Sequence, residues 1–247
     1  MGALVGASCA PSESKVIQTR RMSADFVATA RNSRVTQIRA TLRSSFDDVE
    51  LTGGDTLTAI TTDPVTFVET ERRLVADRGF FGVSYERDFP GNEKDTLIEI
   101  TLDRTSTNNV TASDSNVTMP TPFMLHWVAS PISLEPVPLD FSRSSLETRF
   151  VVWDPFDAPD FEVGDVLDFS ITGSCIEPYF GIIDWEDGED ALELTDVLQD
   201  RQPPNGGQTC VIDVAMTLSR DGVVDSAFRN GTFVAEQIRV LTLLARP

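Results

Sequence analysis

Carboxylates are the chemistry-bearing side chains that crowd most closely in this chain, and they form two clusters. The first lies in the segment WDPFDAPDFE, and its members are Asp154, Asp157, Asp160 and Glu162. The second lies in the segment IDWEDGEDA, and its members are Asp184, Glu186, Asp187, Glu189 and Asp190. Neighbouring carboxylates repel one another unless water or a cation screens them, and calcium takes about six to eight oxygen ligands.

A calcium site is therefore one interpretation of the second cluster, and solvated acidic loops are the other. Neither segment has the spacing of the twelve-residue EF-hand loop. The predicted calcium ligands are Asp184, Glu186, Asp187 and Asp190. We expect no other cofactor.

Two tryptophans, Trp153 and Trp185, lie next to the two acidic clusters. Aromatic faces beside paired carboxylates are typical of sites that bind or hydrolyse carbohydrates. A carbohydrate-binding or carbohydrate-active module that uses these residues is therefore one hypothesis. The alternative is that Trp153 ends a strand and packs in a core, as tryptophans of β-sandwiches often do.

The usual catalytic groups are absent or dispersed in the sequence. His126 is the single histidine, which excludes zinc sites with several histidines, and no G-x-S-x-G nucleophile motif occurs. The three cysteines lie too far apart in sequence for a metal cluster or a CxxC redox motif. These observations predict a protein that is not an enzyme.

The charge of the chain is strongly negative and unevenly distributed. There are 20 basic and 39 acidic residues, a net charge of −19. Residues 135–200 hold 18 of the carboxylates and only Arg143 and Arg149 as basic residues. Such a surface repels nucleic acid and anionic lipid and attracts basic partners. A third hypothesis is therefore an acidic assembly subunit that docks a basic partner.

The elements that must position these residues are β-strands. Apolar and polar side chains alternate in residues 35–43, 97–103 and 166–172, which is typical of strands with one buried face. Residues 211–218 and 233–244 are more apolar and predict central strands. The best helix candidate, residues 191–199, is short and fits a strand equally well. The predicted fold class is all-β, with very little helix.

Two immunoglobulin-like antiparallel β-sandwich domains account for this pattern. Residues 104–118 are polar and lead into a Met-Pro-Thr-Pro sequence, which marks a boundary. The C-terminal part holds seven predicted strands, the number in an immunoglobulin constant-type sandwich. These strands, A to G, cover residues 122–128, 146–152, 166–172, 176–183, 190–197, 209–219 and 232–244. The predicted divisions are a tail or tether at 1–14, a sandwich at 15–117 and an acidic sandwich at 118–247.

The strand assignment also predicts a disulfide. Cys175 follows strand C and Cys210 begins strand F, and these strands are antiparallel neighbours in this topology, so the two thiols meet at one end. A disulfide is typical of exported proteins.

The N-terminal segment predicts a lipid anchor. Residues 1–10 are small and apolar, and Cys9 precedes a polar segment, as at the end of a bacterial lipoprotein signal. No stretch of about 18 apolar residues occurs, so the expected membrane attachment is a lipid on Cys9. The alternative is an N-terminus that carries an incidental cysteine. The expected location is the bacterial periplasm or the outer cell surface.

Three features of the C-terminal half carry a resemblance to a known group of proteins. They are the run VTMPTPFML from Val117, the run GDVLDFSITGSC from Gly164, and Cys210 followed by a long final strand. Together they resemble exported bacterial lipoproteins with immunoglobulin-like domains, most of which have no assigned function. The resemblance implies a cell-envelope protein. We therefore expect a binding, adhesion or scaffolding role, with a protein or glycan partner at the cell surface.

Overall fold

The computed structural model describes residues 11–31, 34–45, 47–79, 82–105, 109–132, 137–142, 148–154, 161–184, 191–194 and 209–246. Within these ranges the protein is all-β and contains no α-helix, only single 3-10 turns at Ser14–Val16 and Thr19–Arg21. The predicted fold class is therefore confirmed.

The chain divides into two units. Unit 1 comprises residues 1–29, 35–119 and 221–235, and unit 2 comprises residues 30–34, 120–220 and 236–247. The first ten strands are β1 Ser12–Glu13, β2 Ser23–Arg31, β3 Val35–Ser44, β4 Asp47–Glu50, β5 Thr56–Thr62, β6 Glu69–Arg73, β7 Val75–Gly79, β8 Gly82–Pro90, β9 Leu97–Asp103 and β10 Ala112–Thr118. The other strands are β11 Met124–Val128, β12 Asp140–Ser142, β13 Phe150–Asp154, β14 Val166–Gly173, β15 Tyr179–Ile183, β16 Ala191–Glu193, β17 Cys210–Asp221 and β18 Asn230–Arg246.

Unit 1 is built from two sheets. One runs β1-β4-β3-β2 and continues to the first part of β18, with β8 on β3 and β7 on β8; the other runs β10-β9-β5-β6. Alternate residues of these strands are buried, because successive side chains of a strand point to opposite faces. The rings of Phe26 on β2 and Phe233 on β18 meet edge to face, with centroids 5.3 Å apart. The core of unit 1 therefore includes residues distant in sequence.

Unit 2 has the arrangement of an immunoglobulin-like sandwich. Strands β11, β13 and β16 form one sheet, and the other includes β15, β14, β17 and the second part of β18. These correspond to the predicted strands A-B-E and D-C-F-G. Strand β15 pairs with β14, whereas a constant-type sandwich places its fourth strand beside the fifth. Leu167, Ile171 and Val214 are among the fully buried residues of the core.

Cys175 and Cys210 form a disulfide, with their Cα atoms 5.9 Å apart. Strands β14 and β17 are antiparallel, and Gly173 at the end of one lies opposite Ile212 near the start of the other. The predicted pairing is confirmed, for the geometric reason from which it was predicted.

The sequence-based divisions differ from the units in three places. Residues 30–34, predicted to lie in the N-terminal sandwich, belong to unit 2. Residues 221–235 belong to unit 1, since β18 is 17 residues long and is divided between the units. Residues 12–13, predicted to lie in the N-terminal tail, form β1 beside β4.

Candidate functional site

Several predicted site residues lie outside the described part of the chain. These are Cys9, Trp185, Glu186, Asp187 and Asp190. Asp184 is described and is exposed just after β15. Among the described residues no group of three or more His, Cys, Asp or Glu side chains is placed to hold a metal ion. The calcium site therefore stays a prediction.

Trp153, the other predicted sugar-stacking residue, lies in the core of unit 2. Its side chain is on β13 opposite Leu125 of β11, and the residue is 2 % exposed. A ring enclosed in this way has no free face for a sugar. The alternative interpretation, core packing, is the one that the structure supports, because β13 lies between β11 and β16 and buries this side of its residues.

The connection between β5 and β6 exposes apolar side chains that the sequence analysis did not single out. Val65, Phe67 and Val68 are 80 %, 77 % and 60 % exposed. We call these three residues the apolar tip. Single exposed apolar residues are normal, but three within four positions of one turn concentrate apolar surface, which is typical of contact sites.

A closed network of hydrogen bonds defines the backbone of this turn. The Asp63 carboxylate accepts bonds from the N–H groups of Val65, at 2.9 Å, and Thr66, at 2.7 Å. The Asp63 carbonyl accepts from Phe67 N–H at 2.9 Å, and Asp63 N–H donates to Val68 O at 3.1 Å. An Asp-Pro pair is a common start for such a turn, since the aspartate satisfies the following N–H groups and proline presets φ.

Phe67 completes the turn in an unusual conformation, with φ of 56°, in the left-handed region that few residues other than glycine adopt. Hydrogen bonds from Thr66 and Val65 hold the pKa of the Asp63 carboxyl below its usual value, so this group is ionised at neutral pH. The apolar tip thus sits on a fixed turn with a charged base.

A pocket of about 340 Å³ lies beside the apolar tip. Two parts of unit 1 form it, the β5–β6 hairpin and the connection from β8 to β9. Its wall includes Asp63, Val68, Pro90, Glu93 and Thr96. Three further threonines, Thr61, Thr66 and Thr70, add hydroxyl groups to the wall. The wall therefore combines two carboxylates, hydroxyl groups and two apolar side chains, and none of its residues is basic.

Comparison with known proteins finds similarity among solved structures. No protein-family profile matches the chain, and no curated protein sequence matches it significantly. Among solved structures, the chain is similar to the Dpr2 Ig1-Ig2 fragment in complex with DIP-Theta Ig1-Ig3, at 9 % identity, 91 % coverage of this chain, 98 % of that chain and a TM-score of 0.31. It is also similar to the Yersinia pseudotuberculosis adhesin InvE, at 11 % identity, with coverage of 91 % of this chain and 60 % of that chain and a TM-score of 0.23.

A third structure, trypsin-activated alpha-2-macroglobulin from Escherichia coli, shares 11 % identity over 94 % of this chain and 16 % of that protein, with a TM-score of 0.25. Identities and scores this low carry no argument about activity or partners. Within the described residues, no helix has the length and apolarity to cross a membrane.

The sequence did contain a signal for this site. Residues 63–68 read DPVTFV, which is a turn start followed by an apolar run where a solvent-exposed connection would carry polar residues. The strand alternation around it masked the signal, since Val and Phe also favour strands. Chemically, the arrangement can bind through apolar contact and hydrogen bonding.

Proposed function

We propose that this is an exported, non-enzymatic binding protein that docks a protein partner through the apolar tip of unit 1. The observation that carries the proposal is the exposure of Val65, Phe67 and Val68 on a turn held by Asp63. Binding residues commonly sit on loops that a rigid scaffold positions. An aromatic residue at the centre of such a patch is the usual source of most of the binding energy.

The ordered backbone of the turn also supports a binding role for the apolar tip. Hydrogen bonds from Val65, Thr66 and Phe67 to Asp63 already order the backbone, so little conformational entropy is lost when a partner docks. The left-handed conformation at Phe67 costs free energy that packing inside unit 1 does not recover, since the ring faces solvent. A functional contact supplies a reason for retaining it.

The partner is expected to be basic. The carboxylates of Asp63 and Glu93 line the pocket beside the tip, and no basic residue lines that pocket. An acidic surface repels anionic lipid and attracts cationic protein surfaces. The disulfide between Cys175 and Cys210 supports export, and we propose a lipid on Cys9 as the membrane attachment.

A displayed library of random heptapeptides, selected on the purified full-length protein, tests the proposal while the natural partner is unidentified. One enriched peptide is then synthesised and its affinity measured against the wild type, Phe67→Ser and Phe180→Ser. Phe180 is 66 % exposed on β15 of unit 2, so its variant is a matched control for loss of an exposed phenylalanine.

The expected result is loss of at least about tenfold in affinity for Phe67→Ser, the size of effect typical of an aromatic hot spot. The Phe180→Ser control should bind as the wild type does. Equal binding to all three proteins, or enrichment of no peptide, would contradict the proposal. Circular dichroism of each variant shows that the fold is retained, because both side chains are at the surface.

A further inference from the structure

Thr96, one of the residues that line the pocket beside the apolar tip, has a buried hydroxyl group without a partner among the described residues. Thr96 is 6 % exposed and lines the pocket, and its Oγ1 makes no hydrogen bond with any described residue. Its backbone is fully engaged, since its N–H donates to Glu93 O at 3.3 Å and its carbonyl accepts from Met119 N–H at 3.0 Å. A buried polar group without a bond costs free energy, so a hydrogen bond to this hydroxyl would stabilise the protein.

Both carboxylates of the pocket also lack a cationic partner among the described residues. The backbone N–H groups of Val65 and Thr66 bond to Oδ1 of Asp63, and the Thr66 hydroxyl also bonds to this carboxylate, so about one of its four acceptor sites is left for a ligand. Glu93 Oε2 accepts one bond, from Asn92 N–H at 2.9 Å. Neither carboxylate takes part in an ion pair within the described ranges. The pocket therefore offers oxygen acceptors and uncompensated negative charge.

These groups select the chemistry of the ligand. An anion is disfavoured, because two carboxylates and no basic residue line the wall. A guanidinium or ammonium group supplies several N–H donors and a positive charge, which match the acceptors. Its alkyl stem would pass along Val68 and Pro90, the apolar part of the wall, as the stems of arginine and lysine do on protein surfaces.

We propose that this pocket binds the cationic end of an arginine or lysine side chain of the partner that docks on the apolar tip. The inference rests on the proposed function, and it names the feature of the partner that gives specificity. Val68 belongs both to the tip and to the wall of the pocket, so one partner segment can fill both. The expected recognition element is a basic residue beside apolar residues.

The first experiment uses a small probe and the full-length ¹⁵N-labelled protein. Amide spectra are recorded with N-acetyl-L-arginine amide at millimolar concentrations and with the citrulline analogue, which has nearly the same shape and no charge. The expected result is saturable shifts centred on residues 63–66 and 93–96 with the arginine probe and much smaller shifts with citrulline. Higher ionic strength should weaken the arginine effect.

Variants assign the effect to the pocket. Glu93→Gln and Thr96→Val should each weaken binding of the arginine probe severalfold, whereas Glu71→Gln should not. Glu71 is an exposed carboxylate on β6 outside the pocket wall, so its variant makes the same change in net charge. Equal shifts with citrulline, or equal weakening by Glu71→Gln, would overturn the proposal.

The second experiment separates this inference from the proposed function. In an enriched peptide that requires Phe67, each arginine is replaced by citrulline and each lysine by norleucine. We expect these replacements to lower the affinity for the wild-type protein by at least about tenfold, because hydrogen bonds to charged groups are the stronger ones. The loss should be smaller for the Glu93→Gln protein, which lacks one of the two carboxylates. An unchanged affinity would overturn the pocket assignment and leave the docking surface standing. If the arginine probe binds but the selection yields no peptide that requires Phe67, both proposals are refuted. The apolar tip would then not dock a partner, and the pocket would not bind a side chain of that partner.

Discussion

The guanidinium of Arg104 and the carboxylate of Asp55 form an ion pair inside unit 1, with Nε 3.0 Å from Oδ2 and both side chains withdrawn from solvent. Asp55 also accepts a bond from Ser14 Oγ at 2.7 Å, and Arg104 donates to the carbonyls of Ser14 and Ile17 at 2.7 and 2.8 Å. The pair therefore attaches the N-terminal segment to the rest of the unit.

Replacing Arg104 by Gln should destabilise unit 1 by about 3–5 kcal/mol, because the Asp55 charge is then buried without compensation. Urea unfolding followed by hydrogen exchange resolves this unit from the other. The double variant Asp55→Asn/Arg104→Gln should be less destabilised than the sum of the single variants, since the pair interacts directly. A loss below about 1 kcal/mol would mean that the pair is solvated in solution.

Acid should destabilise unit 1 through two aspartates whose pKa values are lowered. Burial raises the pKa of Asp55, but the Thr105 N–H, the Ser14 hydroxyl and the Arg104 charge lower it further than burial raises it. Burial likewise raises the pKa of Asp225, and bonds from the N–H groups of Ala227, Asp114 and Ser113 outweigh it. The stabilisation is complete above the unfolded pKa of about 3.9 and is lost as pH falls through the lower folded value.

Unfolding midpoints between about pH 2 and pH 6 check this dependence. The Asp225→Asn variant should be less stable than the wild type at neutral pH, and the difference should shrink in acid, where the wild-type carboxyl is also neutral. A difference that stays constant over the whole range would show that Asp225 does not carry the effect.

Removal of the disulfide should destabilise unit 2 by about 3–4 kcal/mol in the loop-entropy model, given the sequence separation of 35 residues. The variant Cys175→Ala/Cys210→Ala and the wild type are compared by urea unfolding. Tryptophan fluorescence reports on unit 2, since residues 127, 153 and 185 all fall within it. An unchanged midpoint would contradict the prediction.

Thr96→Val should raise the stability of the protein by about 1 kcal/mol while it weakens ligand binding. Valine has nearly the same shape and removes a buried hydroxyl that has no partner in the described structure. Thr19→Val is the matched control, because Thr19 Oγ1 donates to Val110 O at 2.6 Å, and its loss should destabilise by a similar amount. Thermal unfolding compares the two, and destabilisation by Thr96→Val would indicate that the hydroxyl already has a partner in solution.

Calcium should raise the thermal unfolding midpoint by several degrees, if the second acidic cluster is a metal site. A ligand that binds only the folded state adds about 2.7 kcal/mol at a hundred times its dissociation constant. The melting curve is measured with millimolar calcium and with EDTA, for the wild type and for a variant in which the four predicted ligands become amides. An equal midpoint in calcium and EDTA would identify these carboxylates as a solvated surface.

The order of the strands along the chain was accessible from the sequence. Residues 97–103 were predicted as a strand and form β9 with the same bounds, because alternation of side chains is a local property of extended backbone. The disulfide followed from the same strands, since antiparallel neighbours bring Cys175 and Cys210 together. Polar β10 was missed because one of its buried positions is Ser115 and a register shift between Ala112 and Ser115 interrupts the alternation.

The environment of individual side chains required the tertiary structure. Sequence spacing does not show that Arg104 meets Asp55, that Trp153 is enclosed, or that Thr96 Oγ1 lacks a hydrogen-bond partner among the described residues, since each depends on distant strands. The same applies to the apolar tip, where Phe67 faces solvent although its residue type favours burial. Local periodicity thus determined the fold class and the disulfide, whereas long-range packing decided which groups are left to bind a partner.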